Sequence, residues 1–168
     1  MKRISILLLI VLASFNSCSV KLNGASIPAN MKTINIQFFE NNAPLVIPYL
    51  ATQFTEDLKT RIRNQSRLSL TQTDADATIE GRITGYDIKP VSMTDNRQLT
   101  SGSNRLTITV SVKYTNNIDA KQSFEESFSA FKDFLLSGQS LEAQQPQLIK
   151  DINAQLTENI FNRAFAQW

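Results

Sequence analysis

A strict alternation of apolar and polar side chains over residues 106–114 constrains the fold more than any other feature of the sequence. Neighbouring residues of a strand point to opposite faces of the sheet, so this period of two predicts a strand with one buried and one solvated face. A sheet of that kind needs a covering layer on its apolar side. The apolar members are Leu106, Ile108, Val110, Val112 and Tyr114.

Three further segments show strand patterns. In residues 34–39, Ile34, Ile36 and Phe38 occupy alternate positions, which predicts a first strand with these three side chains on one face. Residues 77–88 alternate in the same way and contain two glycines, which suggests a bulge or a close backbone approach. Residues 122–131 follow a polar turn and are predicted to pair back as a fourth strand.

Two segments have the period of an amphipathic helix. Apolar residues recur every four positions between residues 48 and 65, and an apolar stripe follows Pro146. The order β-α-β-β-β-α predicts an α+β fold, a two-layer sandwich in which a four-stranded, mostly antiparallel sheet carries two helices packed on one face. The polar residues 89–104 are predicted to form a loop.

The N-terminus has the organisation of an export signal. Lys2 and Arg3 precede an apolar stretch at residues 4–13, which is too short to span a bilayer, and small or polar residues lead to Cys18. The segment Phe15-Asn16-Ser17-Cys18 resembles a lipobox, the cleavage motif of bacterial lipoproteins. An ordinary secretory signal with a chance cysteine is the alternative.

This organisation divides the chain into three parts. Residues 1–17 are predicted to be a lipoprotein signal peptide, residues 18–30 a lipidated tether, and residues 31–168 a single α/β domain. Acyl chains such as palmitate on Cys18 would then anchor the protein, because each buried methylene contributes about 0.8 kcal/mol.

Composition excludes several functions. Loss of Lys2 and Arg3 with the signal peptide lowers the 17 basic residues to 15, equal to the 15 acidic ones, so a general attraction to nucleic acid is not expected. The chain has no histidine, and its one thiol would be consumed by lipid. Histidine catalysis, zinc sites and cysteine nucleophiles are therefore excluded, and we expect no enzyme, no metal and no cofactor beyond the covalent lipid on Cys18.

Three basic residues are candidates for ligand binding. Arg82, Arg105 and Lys113 fall on the predicted outward face of the sheet, where they could engage phosphorylated sugars. Scattered solubilising charge is the alternative.

The end of the chain holds a second candidate surface. Phe161, Phe165 and Trp168 lie on a helix face rotated by roughly 120° from the main apolar stripe. They could form a patch facing a partner, since aromatic residues are enriched in interface cores. Alternatively, the loop after the fourth strand or the tether covers them.

Several short strings occur along the mature chain in the order of a known family. They are GASIP (24–28), KTI (32–34), FFENNAP (38–44), NRLTITV (104–110), FSAF (128–131) and IFNRAFAQW (160–168). On these strings the sequence resembles the LptE family of lipopolysaccharide-assembly lipoproteins, in the form found in Bacteroidetes.

The resemblance implies a lipoprotein that plugs the β-barrel of an LptD-like translocon and supports the transfer of lipopolysaccharide to the cell surface. It implies a two-layer α/β fold, no enzyme activity, and lipopolysaccharide binding through basic residues. Ser19 follows the cysteine where an aspartate would favour inner-membrane retention, so we expect an anchor in the outer membrane on its periplasmic side.

Two alternatives stay open. The first is another lipoprotein adaptor, such as a pilotin-like envelope-assembly factor, because the same fold hosts many functions. The second is a periplasmic hydrolase that uses serine or carboxylates without histidine.

Overall fold

A computed structural model describes residues 27–91, 103–136, 138 and 140–166. The predicted signal peptide, Cys18 and most of the tether lie outside the described residues, and so does Trp168.

The described part of the chain forms six strands and two α-helices, so the α+β class is confirmed and the predicted number of four strands is wrong. The elements are β1 (Thr33–Ile36), β2 (Glu40–Asn41), α1 (Leu50–Gln65), β3 (Ser69–Leu70), β4 (Ala77–Pro90), β5 (Ser103–Asn116), β6 (Phe124–Leu135) and α2 (Leu141–Phe165). A short 3₁₀ turn at Ala120–Gln122 joins β5 to β6.

The strands form one mixed, open sheet in the order β3-β1-β4-β5-β6, and β2 lies beside β4 in the same row as β1. Strands β4, β5 and β6 are antiparallel, whereas β1, β2 and β3 pair in parallel with their neighbours. The parallel pairs follow from α1, because a helical crossover returns the chain in its original direction.

Strands β1 and β2 are two halves of one interrupted row. At the interruption the backbone N–H of Gln37 still donates to the Ile79 carbonyl at 2.9 Å, and after it the N–H of Asn42 donates to Ile83 at 2.9 Å. The predicted first strand was therefore too long, because its pairing with β4 breaks at residues 37–39.

This interruption reverses the predicted orientation of two aromatic residues. Phe38 was expected on the face of Ile34 and Ile36, but it is 58% exposed, and Phe39 is fully buried instead. A shift of one residue exchanges the two faces of a strand, which explains the error.

The long hairpin of β4 and β5 agrees with the alternation of apolar and polar residues and extends beyond the strands predicted from it. A register shift between Ile83 and Gly85 confirms the predicted bulge. Pairing continues to Lys89 with Arg105 and Pro90 with Asn104, so the predicted loop at 89–104 is shorter than expected; residues 92–102 lie outside the described part. Main-chain pairing does not need apolar side chains, which is why the polar ends still pair.

Both helices bury their apolar stripes against the inner face of the sheet. Helix α1 buries Leu50, Phe54, Leu58 and Ile62, and α2 contributes a longer stripe. Helix α2 begins at Leu141, ahead of the predicted start near Pro146, because the Ser140 hydroxyl accepts a bond from the N–H of Ala143 at 3.4 Å and caps it.

The two ends of the domain differ. The tether pole is the end at which residue 27 enters the domain: the Arg67 guanidinium donates to the Ile27 carbonyl at 2.9 Å, and Asp76 accepts the backbone N–H groups of Lys32 and Thr33. The distal pole is formed by residues 42–49, the end of β6 and the start of α2. It lies towards the other end, because residues 42–49 follow Asn41, which pairs with Ile83 midway along β4, and Leu135 at the end of β6 pairs with Ser103 at the start of β5.

Candidate functional site

The outward side of the sheet, here called the open face, carries no helix among the described residues. Its centre is lined with hydroxyl side chains, and ion pairs lie towards both ends. The hydroxyl residues are Thr107, Thr109, Ser111, Ser127 and Ser129. All three predicted basic residues, Arg82, Arg105 and Lys113, lie on this face.

Arg105 is held in place by two neighbours on β6. Its guanidinium donates to both carboxylate oxygens of Asp133 at 2.7 and 2.9 Å, and it stacks on the Phe131 ring at 3.8 Å. This contact lowers the pKa of the Asp133 carboxyl from its usual value. The planar faces and donors of Arg105 are thus largely used within the protein.

Lys113 and Arg82 lie towards the other end of the face: Lys113 is about 26 Å along β5 from Arg105, and Arg82 pairs with Ser111, about 20 Å from Arg105. The Lys113 ammonium donates to Glu80 at 2.7 Å, and this hydrogen bond raises the pKa of Lys113. Arg82 is exposed and has no hydrogen bond or ion pair with any described residue. The three basic residues therefore share a face but do not form one cluster.

Arg82 and Lys113 line a groove of about 290 Å³ where the row of β1 and β2 is interrupted. We call it the Phe38 groove, because the exposed ring of Phe38 stands in its wall. Glu40, Glu80 and Glu125 also line it. Three carboxylates against two cations give its lining a net negative charge of one.

The aromatic residues predicted to face a partner are buried instead. Phe161 is 5% exposed and Phe165 is 2% exposed. The ring of Phe165 packs edge-on against the Tyr114 ring with 5.8 Å between the ring centres, and the centres of the Tyr114 and Phe124 rings are 5.4 Å apart. Because α2 is covered by both the sheet and α1, its second apolar face belongs to the core, and the interpretation of Phe161 and Phe165 as a partner surface is wrong.

Exposed apolar residues occur elsewhere, at the distal pole. Leu45, Val46 and Tyr49 are 52%, 57% and 40% exposed, and Leu135 and Leu136 extend from the end of β6. Sequence reasoning missed this surface. A signal existed, because residues 41–55 contain no charged side chain, and the apolar residues between Pro44 and Pro48 belong to no periodic element.

A second polar groove lies between the helices on the other side of the domain. Arg61 bridges them, donating to Thr157 and to the Ala154 carbonyl at 3.0 Å each. Beside it the Asn153 amide donates to Asp57 at 3.1 Å, while the buried Asn153 Oδ1 has no partner among the described residues. These groups tie the helices together.

The described residues show neither a metal site nor a spanning helix. No group of three or more His, Cys, Asp or Glu in the described ranges is placed to hold a metal ion. No helix in the same part of the chain is long and apolar enough to cross a bilayer.

A family model described as LptE, lipopolysaccharide-assembly, matches residues 31–164. No curated protein matches the sequence.

Solved structures of similar fold come from several bacteria. The hypothetical protein CT253 from Chlamydia trachomatis has a TM-score of 0.57 at 8% identity, with 80% of this chain and 98% of that chain covered. A minor lipoprotein from Acinetobacter baumannii has a TM-score of 0.50 at 12% identity, with 79% and 91% covered. Lipoprotein B from Nitrosomonas europaea has a TM-score of 0.50 at 15% identity, with 78% and 80% covered. Identities this low support a shared fold alone.

Proposed function

This chain belongs to the LptE family of lipopolysaccharide-assembly proteins, and from that membership we propose that it is an outer-membrane lipoprotein that plugs and supports an LptD-like β-barrel during the insertion of lipopolysaccharide. The family match over residues 31–164 is the observation that carries the proposal. The protein acts by binding and not by catalysis, in keeping with a sequence that lacks histidine.

The proposed anchor is lipid on Cys18, in the periplasmic leaflet of the outer membrane. Residues 18–26 link this cysteine to the tether pole, and nine residues extend to at most about 30 Å. The domain therefore stays close to the membrane in which the barrel is built.

The proposed barrel contact is the distal pole. Exposed Leu45, Val46 and Tyr49 form an uncharged surface, which is the composition of an interface core. This surface takes over the role that the sequence had suggested for Phe161 and Phe165.

The proposed contact with lipopolysaccharide is the open face. Arg82, Arg105 and Lys113 remain candidates there, and the guanidinium of Arg82 is the most available of the three, because no described residue bonds to it. Arg105 and Lys113 would have to exchange a carboxylate for the ligand.

Co-purification after mild detergent extraction tests the proposal. The tagged full-length protein is expected to recover a large β-barrel partner, and the double substitution Leu45→Glu with Val46→Glu is expected to reduce that recovery at least about tenfold, because it places two charges in an apolar contact. The matched control is Ile118→Glu, which alters an exposed apolar residue at the tether pole.

Two results would overturn the proposal. If the unaltered protein recovers no β-barrel, the proposed partner is wrong. If lipopolysaccharide still reaches the surface normally after the protein is depleted, the proposed function is wrong. A pilotin-like adaptor would give that second result, since its loss does not leave lipopolysaccharide away from the surface.

A further inference from the structure

The Phe38 groove contains an aromatic ring that the fold holds outward. Phe39, the next residue, is fully buried: its N–H donates to Thr55 Oγ1 at 3.1 Å, and its ring packs edge-on against Phe54 at 4.9 Å. Adjacent residues of an extended segment point to opposite sides. The position of Phe39 therefore fixes Phe38 on the open face, where it is 58% exposed.

Gly81 makes this arrangement possible. A Cβ atom at Gly81 would lie 2.7 Å from the Phe39 ring and 2.2 Å from the Ser111 carbonyl oxygen. Glycine at this position leaves the space under β4 that the Phe39 ring fills. The groove wall is thus prepared by the core and does not depend on a ligand.

The polar groups around Phe38 are largely unused. The side chains of Gln37, Glu40, Asn42 and Arg82 make no hydrogen bond with any described residue. Each is planar, with two adjacent donors, two acceptors or one of each. Such groups match pairs of neighbouring hydroxyls, and the face of an aromatic ring matches the C–H face of a pyranose.

Charge restricts the class of ligand. Lys113 is already paired with Glu80, and Glu125 lies near enough to raise the pKa of Lys113 further. The net negative lining disfavours a phosphate or carboxylate ligand, and the three carboxylates do not form a metal-binding group. A volume of about 290 Å³ is at the lower limit of small-molecule pockets, which suits one or two sugar rings.

We propose that the Phe38 groove binds an uncharged sugar of the saccharide portion of lipopolysaccharide, with Phe38 stacking on the ring and Glu40, Gln37 and Arg82 bonding its hydroxyls. This inference rests on the proposed function and assigns the sugar, rather than the phosphorylated lipid, to this part of the open face.

Calorimetric titration of the full mature protein in mild detergent tests the inference. The probe is the saccharide released from lipopolysaccharide by mild acid, then dephosphorylated and reduced at its carboxyl groups so that it is neutral, and the phosphorylated lipid portion is the comparison probe. We expect the neutral saccharide to bind, and Phe38→Ala and Glu40→Gln each to weaken its binding about tenfold. The matched control Phe131→Ala removes another exposed aromatic of the same face and should leave this affinity unchanged.

Three results would overturn the inference. The neutral saccharide fails to bind at all, Phe131→Ala weakens its binding as much as the groove variants do, or both groove variants leave its affinity unchanged. Both groove positions are exposed, and Glu40→Gln preserves the side-chain shape, so at least one folded variant is expected. Barrel co-purification separates the two proposals, because saccharide binding without a barrel contradicts only the proposed function, and a barrel without saccharide binding contradicts only this inference.

Discussion

The two faces of the sheet differ sharply, although they come from alternate residues of the same strands. On β5 the inward residues Leu106, Ile108, Val110 and Val112 are completely buried beneath the helices. The outward residues between them, Thr107, Thr109 and Ser111, remain partly exposed, and Lys113, which follows, is exposed. One strand thus supplies both the core and the surface of the domain.

This difference separates folding from binding. The inner face supplies the burial of apolar area that stabilises the fold, so its residues are constrained by packing. The open face contributes little burial and is free to vary in charge and shape. Function is therefore expected on the open face and at the distal pole.

The largest expected effect on stability comes from replacing one aromatic residue on each face with alanine. Phe165→Ala should lower the free energy of unfolding by about 3–5 kcal/mol, because it leaves a cavity beside Tyr114. Phe131→Ala, at a side chain 48% exposed on the open face, should cost less than about 1 kcal/mol. Urea unfolding of both variants measures the difference.

Equal effects of these two substitutions would break the comparison. A small effect at Phe165 with loss of barrel recovery would restore the interpretation of this residue as a partner contact.

A second expected effect concerns two glycines of β4. Gly81→Ala should destabilise the domain by about 3 kcal/mol, because the new Cβ meets the backbone oxygen of Ser111 and the buried Phe39 ring. Gly85→Ala should cost less than about 1 kcal/mol, since its Cβ would meet the Thr109 side chain at 3.2 Å, which a small shift relieves. Denaturant midpoints, compared at constant slope, measure both changes in stability. If Gly85→Ala is as unstable as Gly81→Ala, the bulge requires glycine and the buried Phe39 ring is not the reason.

The long elements of the fold could be predicted from the sequence. Helix α1 and strands β4, β5 and β6 each repeat their period several times, so their type does not depend on context. Strands β2 and β3 have two residues each and show no period. They exist only because their backbone pairs with β4 and β1, which is information from the tertiary structure.

The candidate site was predictable only in part. Alternation placed Arg105 and Lys113 outward, but their partners Asp133 and Glu80 lie on neighbouring strands, and strand register is not readable from one sequence. The Phe38 groove depends on the interruption of a strand row, which inverts the local pattern. Phe161 was misread because a helix covered on two sides has the same pattern as one with an exposed apolar face.

A third prediction sharpens the description of the inner layer. Asn153 is fully buried between the helices, and no residue in the described part of the chain bonds to its Oδ1. Asn153→Leu should leave the free energy of unfolding unchanged or raise it by about 1 kcal/mol, because it removes a buried acceptor and fills the same volume, while the half-exposed Asp57 can be hydrated. Thermal unfolding measures this change, and a loss of more than about 2 kcal/mol would show that the amide specifies the pairing of α1 with α2.

The smallest expected effect is at the ion pair of the open face. Hydrogen bonding from Arg105 lowers the pKa of Asp133, so its folded value lies below the unfolded value of about 3.9. The stabilisation is therefore fully present above that unfolded value and is lost as the pH falls through the folded pKa. Urea midpoints of the unaltered protein and of Asp133→Asn should differ slightly near neutral pH and converge as the pH falls through the folded pKa. A difference that persists in acid would mean that Asp133 acts through packing and not through its charge, and the open face would then contribute to the fold as the inner face does.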